Sequence, residues 1–132
     1  MKTLNSTATA TLKKMMEMMI EGYAKIDNSE RSYMAVSIEE IFNNDKYRII
    51  SVAHYYEQNG DLMVDPELCF IHSKARDLFM PSYFKMDGFL GREEESILME
   101  NGEINGIRTK MQADHTSFAN MWLKNIKYQQ NL

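Results

Sequence analysis

Residues 47–71 read YRIISVAHYYEQNGDLMVDPELCFI, and this stretch decides the fold. Apolar side chains alternate along Tyr47–Glu57, which is the pattern of a strand with one buried face. Asn59-Gly60 follows, a pair typical of a type I′ turn because both residues tolerate positive φ. We therefore expect Leu62–Ile71 to return antiparallel, with an edge position or a bulge at Pro66, which cannot donate to the ladder. The stretch predicts a long β-hairpin.

An amphipathic helix is predicted on each side of this β-rich region. Before it, apolar residues recur at helical spacing from about Ala8 to Ile26 and fall within an arc of about 140°. After it, a second helix ends near Gln129, with Thr109 or Asp114 as its cap. The apolar stripe of the first helix is rich in methionine and consists of Leu12, Met15, Met16, Met19, Ile20, Tyr23 and Ile26.

Shorter elements fill the remainder of the chain. Ser37 with Glu40 three residues later fits a capping box, which predicts a helical turn through Phe42. Asn101-Gly102 is a second hairpin signal. Further strands are expected over Ser32–Val36, Leu78–Met86, Ser96–Met99 and Glu103–Arg108.

These elements predict one α+β domain over residues 1–132. Its expected architecture is an antiparallel sheet of about four to six strands, with an N-terminal and a C-terminal amphipathic helix packed on it. The N-terminal helix falls within residues 1–28, the β-rich middle within 32–108 and the C-terminal helix within 109–129.

Composition and charge exclude several classes of protein. The formal net charge is −4, which argues against a nucleic-acid coat protein, because phosphate contacts need a basic face. Cys69 is the only cysteine, so a disulfide within the chain and a four-thiolate zinc site are excluded. No apolar stretch approaches the roughly 20 residues that a spanning helix needs. We expect a cytoplasmic protein that contacts neither a membrane nor nucleic acid directly.

Motifs for chemistry are scarce. No nucleophile elbow, phosphate loop or dinucleotide fingerprint occurs. The histidines lack the local spacing of a zinc site, and His54 and His115 are expected as hydrogen-bonded core residues. The sequence predicts no enzymatic activity, catalytic residue, cofactor or metal. One alternative stays open, a small-ligand site or enzyme built from His54, Tyr56, Asp61, Asp65 and Glu67, since Asp65 and Glu67 would lie about 6.5–7 Å apart on one strand face.

Two segments are candidate protein-binding surfaces. The first is the hairpin, where tyrosines offer large contact areas at low entropy cost, although the same residues also suit a plain stable turn. The second is the acidic segment 92–103, which is either a solvated turn or a mimic of nucleic-acid charge. The Met-rich helix offers a surface for a homo-oligomer. The candidate binding residues are His54, Tyr55, Tyr56, Gln58, Asp61, Asp65, Glu67, Glu93, Glu94 and Glu95.

The hairpin also carries a family resemblance. Residues 51–63 read SVAHYYEQNGDLM and residues 65–67 read DPE, and together they resemble the signature of an uncharacterised family of small bacterial proteins. Residues 118–126, FANMWLKNI, are similar to that family's C-terminal end. The resemblance spans about residues 33–129 and leaves out the N-terminal helix, which would then be this chain's own addition.

The resemblance implies an origin rather than an activity. Such proteins accompany conjugative elements, plasmids and phages of Gram-positive gut bacteria, often beside genes that counter host defences. The expected function is therefore a non-enzymatic, anti-defence protein that binds a CRISPR effector or a restriction enzyme stoichiometrically. No catalytic role is carried over from the family.

Overall fold

Two helices and two antiparallel sheets make up the chain, which a computed structural model describes from residue 1 to residue 132. The helices are α1 (Ser6–Glu17) and α2 (Thr109–Gln129). The strands are β1 (Tyr23–Ile26), β2 (Val36–Asn43), β3 (Tyr47–Gln58), β4 (Asp61–Ser73), β5 (Leu78–Met86), β6 (Arg92–Glu95), β7 (Ile97–Glu100) and β8 (Glu103–Ile107). The predicted α+β class is confirmed. Neither helix has the length and apolar character needed to cross a membrane.

Strands β1 to β6 form a meander in which each strand pairs with its neighbour in sequence. The predicted hairpin joins β3 to β4, and Asn59 and Gly60 have the positive φ values of 53° and 84° that its turn requires. The predicted bulge at Pro66 is confirmed, because the pairing register shifts between Ala53 and Tyr55 on the facing strand. Strands β7 and β8 form a separate hairpin across Asn101-Gly102, as expected.

Both helices pack on one face of the six-stranded sheet. The main core there includes Leu12 and Met15 from α1, Leu123 from α2 and Phe70 from β4. A smaller cluster of Ile71, Met80 and Ile97 lies between the sheet's other face and the β7–β8 hairpin. The two faces are therefore unequal: helices cover one, and a short hairpin covers only part of the other.

The predicted first helix is wrong beyond Glu17. The chain reverses at Glu21 and Gly22, which have φ values of 53° and 80°, and Tyr23–Ile26 then forms edge strand β1. Ile20, predicted as part of the apolar stripe, is exposed. Tyr23 and Ile26 fit the helical spacing, but in β1 residues three positions apart lie on opposite faces, so Ile26 enters the core and Tyr23 is exposed.

The helical turn predicted for Ser37–Phe42 and the strand predicted for Ser32–Val36 are also wrong. Strand β2 begins at Val36 and runs through the supposed capping box, because pairing with β3 outweighs a local cap signal. The C-terminal helix ends at Gln129 as predicted, but Arg108 precedes it and makes no side-chain capping bond, so the predicted cap at Thr109 or Asp114 is wrong.

Candidate functional site

His54 is a core residue rather than a surface ligand. Its imidazole Nδ1 donates a hydrogen bond to the backbone oxygen of Ala35 over 3.0 Å. The ring meets Trp122 of α2 edge-on, with 5.5 Å between ring centroids. Only 7% of the residue is exposed, so His54 stabilises the helix-covered face and is not available to a ligand.

The remaining hairpin residues do not converge on one pocket with His54. Gln58, Asp61 and Asp65 are exposed, and the bulge at Pro66 interrupts the alternation that would place Asp65 and Glu67 on one face. Tyr56 is half-buried, whereas Tyr55 is exposed on the side away from the helices. The structure therefore does not assemble the alternative five-residue cluster, because His54 faces the helices and Glu67 faces the opposite side of the sheet.

The start of the acidic segment forms strand β6 and not the solvated turn that was one of its two expected forms. Glu93, Glu94 and Glu95 lie in β6, so consecutive side chains point to opposite faces. Glu94 accepts a hydrogen bond from Nε2 of His115 over 3.0 Å, and Nδ1 of the same ring lies 2.8 Å from the hydroxyl of Ser96. Glu94 is therefore committed to the fold, whereas Glu93 and Glu95 face away from the helices.

Side chains on that second face form two rows that cross all six strands. The pairing register defines both rows, and directly opposed residues have their Cβ atoms about 4.5–5.5 Å apart. The first row contains Tyr23, Glu39, Ser51, Cys69, Tyr83 and Glu95. The second row contains Lys25, Ser37, Ala53, Glu67, Lys85 and Glu93. We call these two rows, together with Tyr55, the open face.

A groove of about 400 Å³ lies on this face beside the β7–β8 hairpin. Along β4 the groove passes from apolar Ile71 through Cys69 to charged Glu67, so one end is apolar and the other is acidic. We call it the open-face groove. Its apolar end is lined by Ile41, Ile49, Ile71, Ile97 and Met99, and its polar end by Glu67, Cys69, Ser82, Tyr83 and Glu95.

Carboxylates outnumber cations on the open face. Glu39, Glu67, Glu93 and Glu95 stand against Lys25 and Lys85 in the two rows. Lys85 is drawn towards one edge, with its Nζ 3.9 Å from Asp87 and 4.0 Å from Glu93. Glu67 accepts a short bond of 2.6 Å from the Ser51 hydroxyl and makes no ion pair, and Glu95 makes none either. Two carboxylates in the groove are thus left without a cation.

The same negative charge acts on the neighbouring titratable groups. Burial and the Glu67 carboxylate raise the pKa of the Cys69 thiol to about 12. Burial, and then the carboxylate of Glu93, raise the pKa of Tyr83, and burial together with Glu67 raises that of Tyr55. Burial is the larger cause of each shift, and the carboxylates add to it by disfavouring a further negative charge on the thiol and the two hydroxyls. Cys69 stays a protonated thiol, which is a poor nucleophile.

Several residues of the open face were not predicted from the sequence as members of a common surface. Tyr23 was assigned to a helix and Glu39 to a helical turn, so neither was expected on a sheet. Tyr83 lies in a correctly predicted strand, but the neighbours of that strand were unknown. The alternation along β5 could have identified Tyr83 and Lys85 as members of one face. No group of three or more histidine, cysteine or acidic side chains in the chain is arranged to hold a metal ion.

The chain matches the model of one known protein family. The model of a domain of unknown function, DUF6908, matches residues 6–132. The chain belongs to this family. The DUF6908 match includes α1, which corrects the expectation that the N-terminal helix is an addition outside the shared domain. No curated protein and no solved structure matches the chain. The DUF6908 match names no activity, so the argument about function depends on the open face.

Proposed function

We propose that this DUF6908 domain is a non-enzymatic binding protein of a mobile genetic element or phage, and that its open face binds and inhibits a host defence effector in the bacterial cytoplasm. The effector class is a CRISPR effector or a restriction enzyme. The family resemblance supports the origin, because similar proteins accompany genes that counter host defences. Inhibition is stoichiometric: the protein occupies a surface and transforms no substrate.

One observation carries the proposal. The two segments that the sequence marks as binding surfaces, the hairpin and the acidic segment, contribute to the same sheet face. Tyr55 and Glu67 come from the hairpin, and Glu93 and Glu95 come from β6. Tyrosines supply contact area with a directing hydroxyl, and carboxylates supply charge, which together favour a protein partner.

The charge of the face specifies the kind of surface that it fits. Enzymes that cleave DNA or RNA hold the phosphate backbone in a basic channel. An acidic sheet face presented to such a channel satisfies the same lysines and arginines and keeps the nucleic acid out. Electrostatic steering also accelerates the encounter at low salt, because opposite potentials attract over about 10 Å. We therefore expect binding that weakens as the salt concentration rises.

Co-purification with purified candidate effectors, at low and raised salt, tests the proposal. The test variant is Glu39→Lys with Glu93→Lys, which reverses two exposed charges of the open face. The matched control is Glu17→Lys with Glu30→Lys, which changes the net charge equally at exposed positions outside it. We expect the test variant to lose effector binding and inhibition of nucleic-acid cleavage, and the control to retain both.

Two results would reject the proposal. One is that no effector of either class is retained or inhibited by the protein. The other is that the open-face variant and the control bind one effector equally well, which would place the contact surface elsewhere on the molecule.

A further inference from the structure

We propose that the open-face groove is a receptor for a single arginine side chain of the partner protein. The inference deepens the proposed function and rests on it for the source of the arginine. It adds a chemical specificity to what is otherwise a general attraction between an acidic face and a basic one. The argument depends on the shape of the groove, on its unpaired carboxylates and on the position of Tyr83.

The groove has the two-part character of a long cationic side chain. Ile49 and Ile71 line its apolar end, where the methylene stem of a bound side chain would lie. Glu67 and Glu95 line its polar end, where the charged head would lie. A fully apolar ligand would leave these carboxylates desolvated and unpaired, and a small inorganic cation would leave the apolar end unfilled.

No cation of the chain forms an ion pair with either carboxylate at the polar end. The Ser51 hydroxyl occupies only Oε2 of Glu67, which leaves the other carboxylate oxygen free to accept a bond. The side chain of Glu95 makes no hydrogen bond or ion pair, although its backbone oxygen accepts a bond from Arg108. Lys85, the nearest cation in the rows, is paired with Asp87 and Glu93 instead. Both carboxylates are therefore free to pair with a cation of the partner.

Arginine fits this end of the groove better than lysine. Its planar guanidinium can donate two parallel N–H bonds to a carboxylate such as that of Glu67 or Glu95, whereas the ammonium of lysine acts as a point charge. Tyr83 lies directly opposite Glu95 in the strand pairing, so its ring flanks the same position and can stack on the guanidinium. A guanidinium is also more weakly hydrated than an ammonium, so it enters a half-buried groove at lower cost.

A peptide titration of the full chain tests the inference. The probe is acetyl-Gly-Gly-Arg-Gly-Gly-amide, compared with the same peptide carrying lysine, and binding is followed by amide chemical shifts of the ¹⁵N-labelled protein. We expect shifts confined to the neighbourhood of Cys69, Tyr83 and Glu95, with arginine binding about tenfold more tightly than lysine. Equal binding of the two peptides, or no shifts in the groove, would overturn the arginine receptor.

Substitutions in the groove distinguish a failure of the arginine receptor from a failure of the proposed function. Glu67→Gln with Glu95→Gln keeps the acceptor for Ser51 and should abolish the arginine-specific shifts, whereas Glu17→Gln with Glu30→Gln should not. Spectra of the remaining amides show whether each variant is folded. If the effector binds through Glu39 and Glu93 but the arginine peptide does not bind, the receptor is wrong and the proposed function stands. If the peptide binds but the Glu39→Lys, Glu93→Lys variant still binds effectors normally, the proposed function fails and the groove remains a site for arginine.

Discussion

Glu94 and His115 are hydrogen-bonded at 3.0 Å, which places the middle one of three consecutive glutamates in β6 on the face that the helices cover. Glu94 pairs across the sheet with Phe84, a core residue, and so faces the helices. Glu93 and Glu95 therefore face the other way and take part in the open face. A short acidic run thus supplies one residue to the fold and two to a surface.

This division predicts unequal costs for equal substitutions. Glu94→Ala leaves the buried ring of His115 without its acceptor, so it should lower the free energy of unfolding by about 1–3 kcal/mol. Glu93→Ala removes an exposed side chain and should change that free energy by less than about 0.5 kcal/mol. Urea unfolding monitored by circular dichroism measures both. Equal values for the two variants would contradict the assignment of Glu94 to the fold.

Besides the bond between His115 and Glu94, α2 contacts the sheet through Trp122, whose ring meets His54 edge-on. Trp122→Ala should lower the free energy of unfolding by about 3–5 kcal/mol, because it leaves a large cavity over β3. Tyr128→Ala, on the same helix but 71% exposed, is the control and should cost less than about 0.5 kcal/mol. A small effect of the Trp122 substitution in urea unfolding would place the helix elsewhere.

The parts of the fold that could be predicted are those that local physics fixes. Strand β5 and the β3–β4 hairpin follow from side-chain alternation and from turn residues that accept positive φ. The end of α1 and the start of β2 could not be predicted, because long-range pairing decides them. Tyr23 pairs with Glu39, and Ser37 pairs with Ala53, contacts that no local pattern shows.

The candidate site was predictable in its parts and not in its assembly. Tyr55, Glu67, Glu93 and Glu95 were all named from the sequence as surface residues. Their position on one face depends on the order of the strands, which the sequence does not reveal. The separation of His54 from Glu67 depends on the same pairing: Glu67 lies opposite Ala53, and the adjacent His54 points to the other face of β3.

Cys69 predicts an alkaline limit to stability. Its pKa is raised from about 9 to about 12 in the folded chain, so the unfolded chain loses the thiol proton first as the pH rises. The free energy of unfolding should therefore decrease as the pH rises from about 9 to about 12, since the unfolded state binds fewer protons in that range. Cys69→Ala should make this decline shallower, with the part due to Tyr83 and Tyr55 remaining.

Urea unfolding at about pH 8 and about pH 10.5 measures this decline for the two proteins. Ser73→Ala, near the far end of the same strand, serves as the control for a small substitution on β4. A decline in the Cys69→Ala variant as steep as that of the natural sequence would show that the thiol does not titrate late.

Gly102 positions the β7–β8 hairpin, and with it the wall of the open-face groove. Its φ is +78°, and a Cβ atom there would lie 2.7 Å from Nδ2 of Asn44, which donates to the Gly102 oxygen over 3.1 Å. Gly60 has a similar φ of +84° in the other hairpin, with no atom within 4 Å of an added Cβ. Gly60→Ala should therefore cost only the strain of positive φ, about 1 kcal/mol, whereas Gly102→Ala should cost about 1–2 kcal/mol more because Asn44 must move. Urea unfolding measures the free energy of unfolding of both variants. Binding of the arginine peptide should weaken in Gly102→Ala alone. Equal losses of stability and equal peptide binding in the two variants would show that the Asn44 contact does not hold the hairpin.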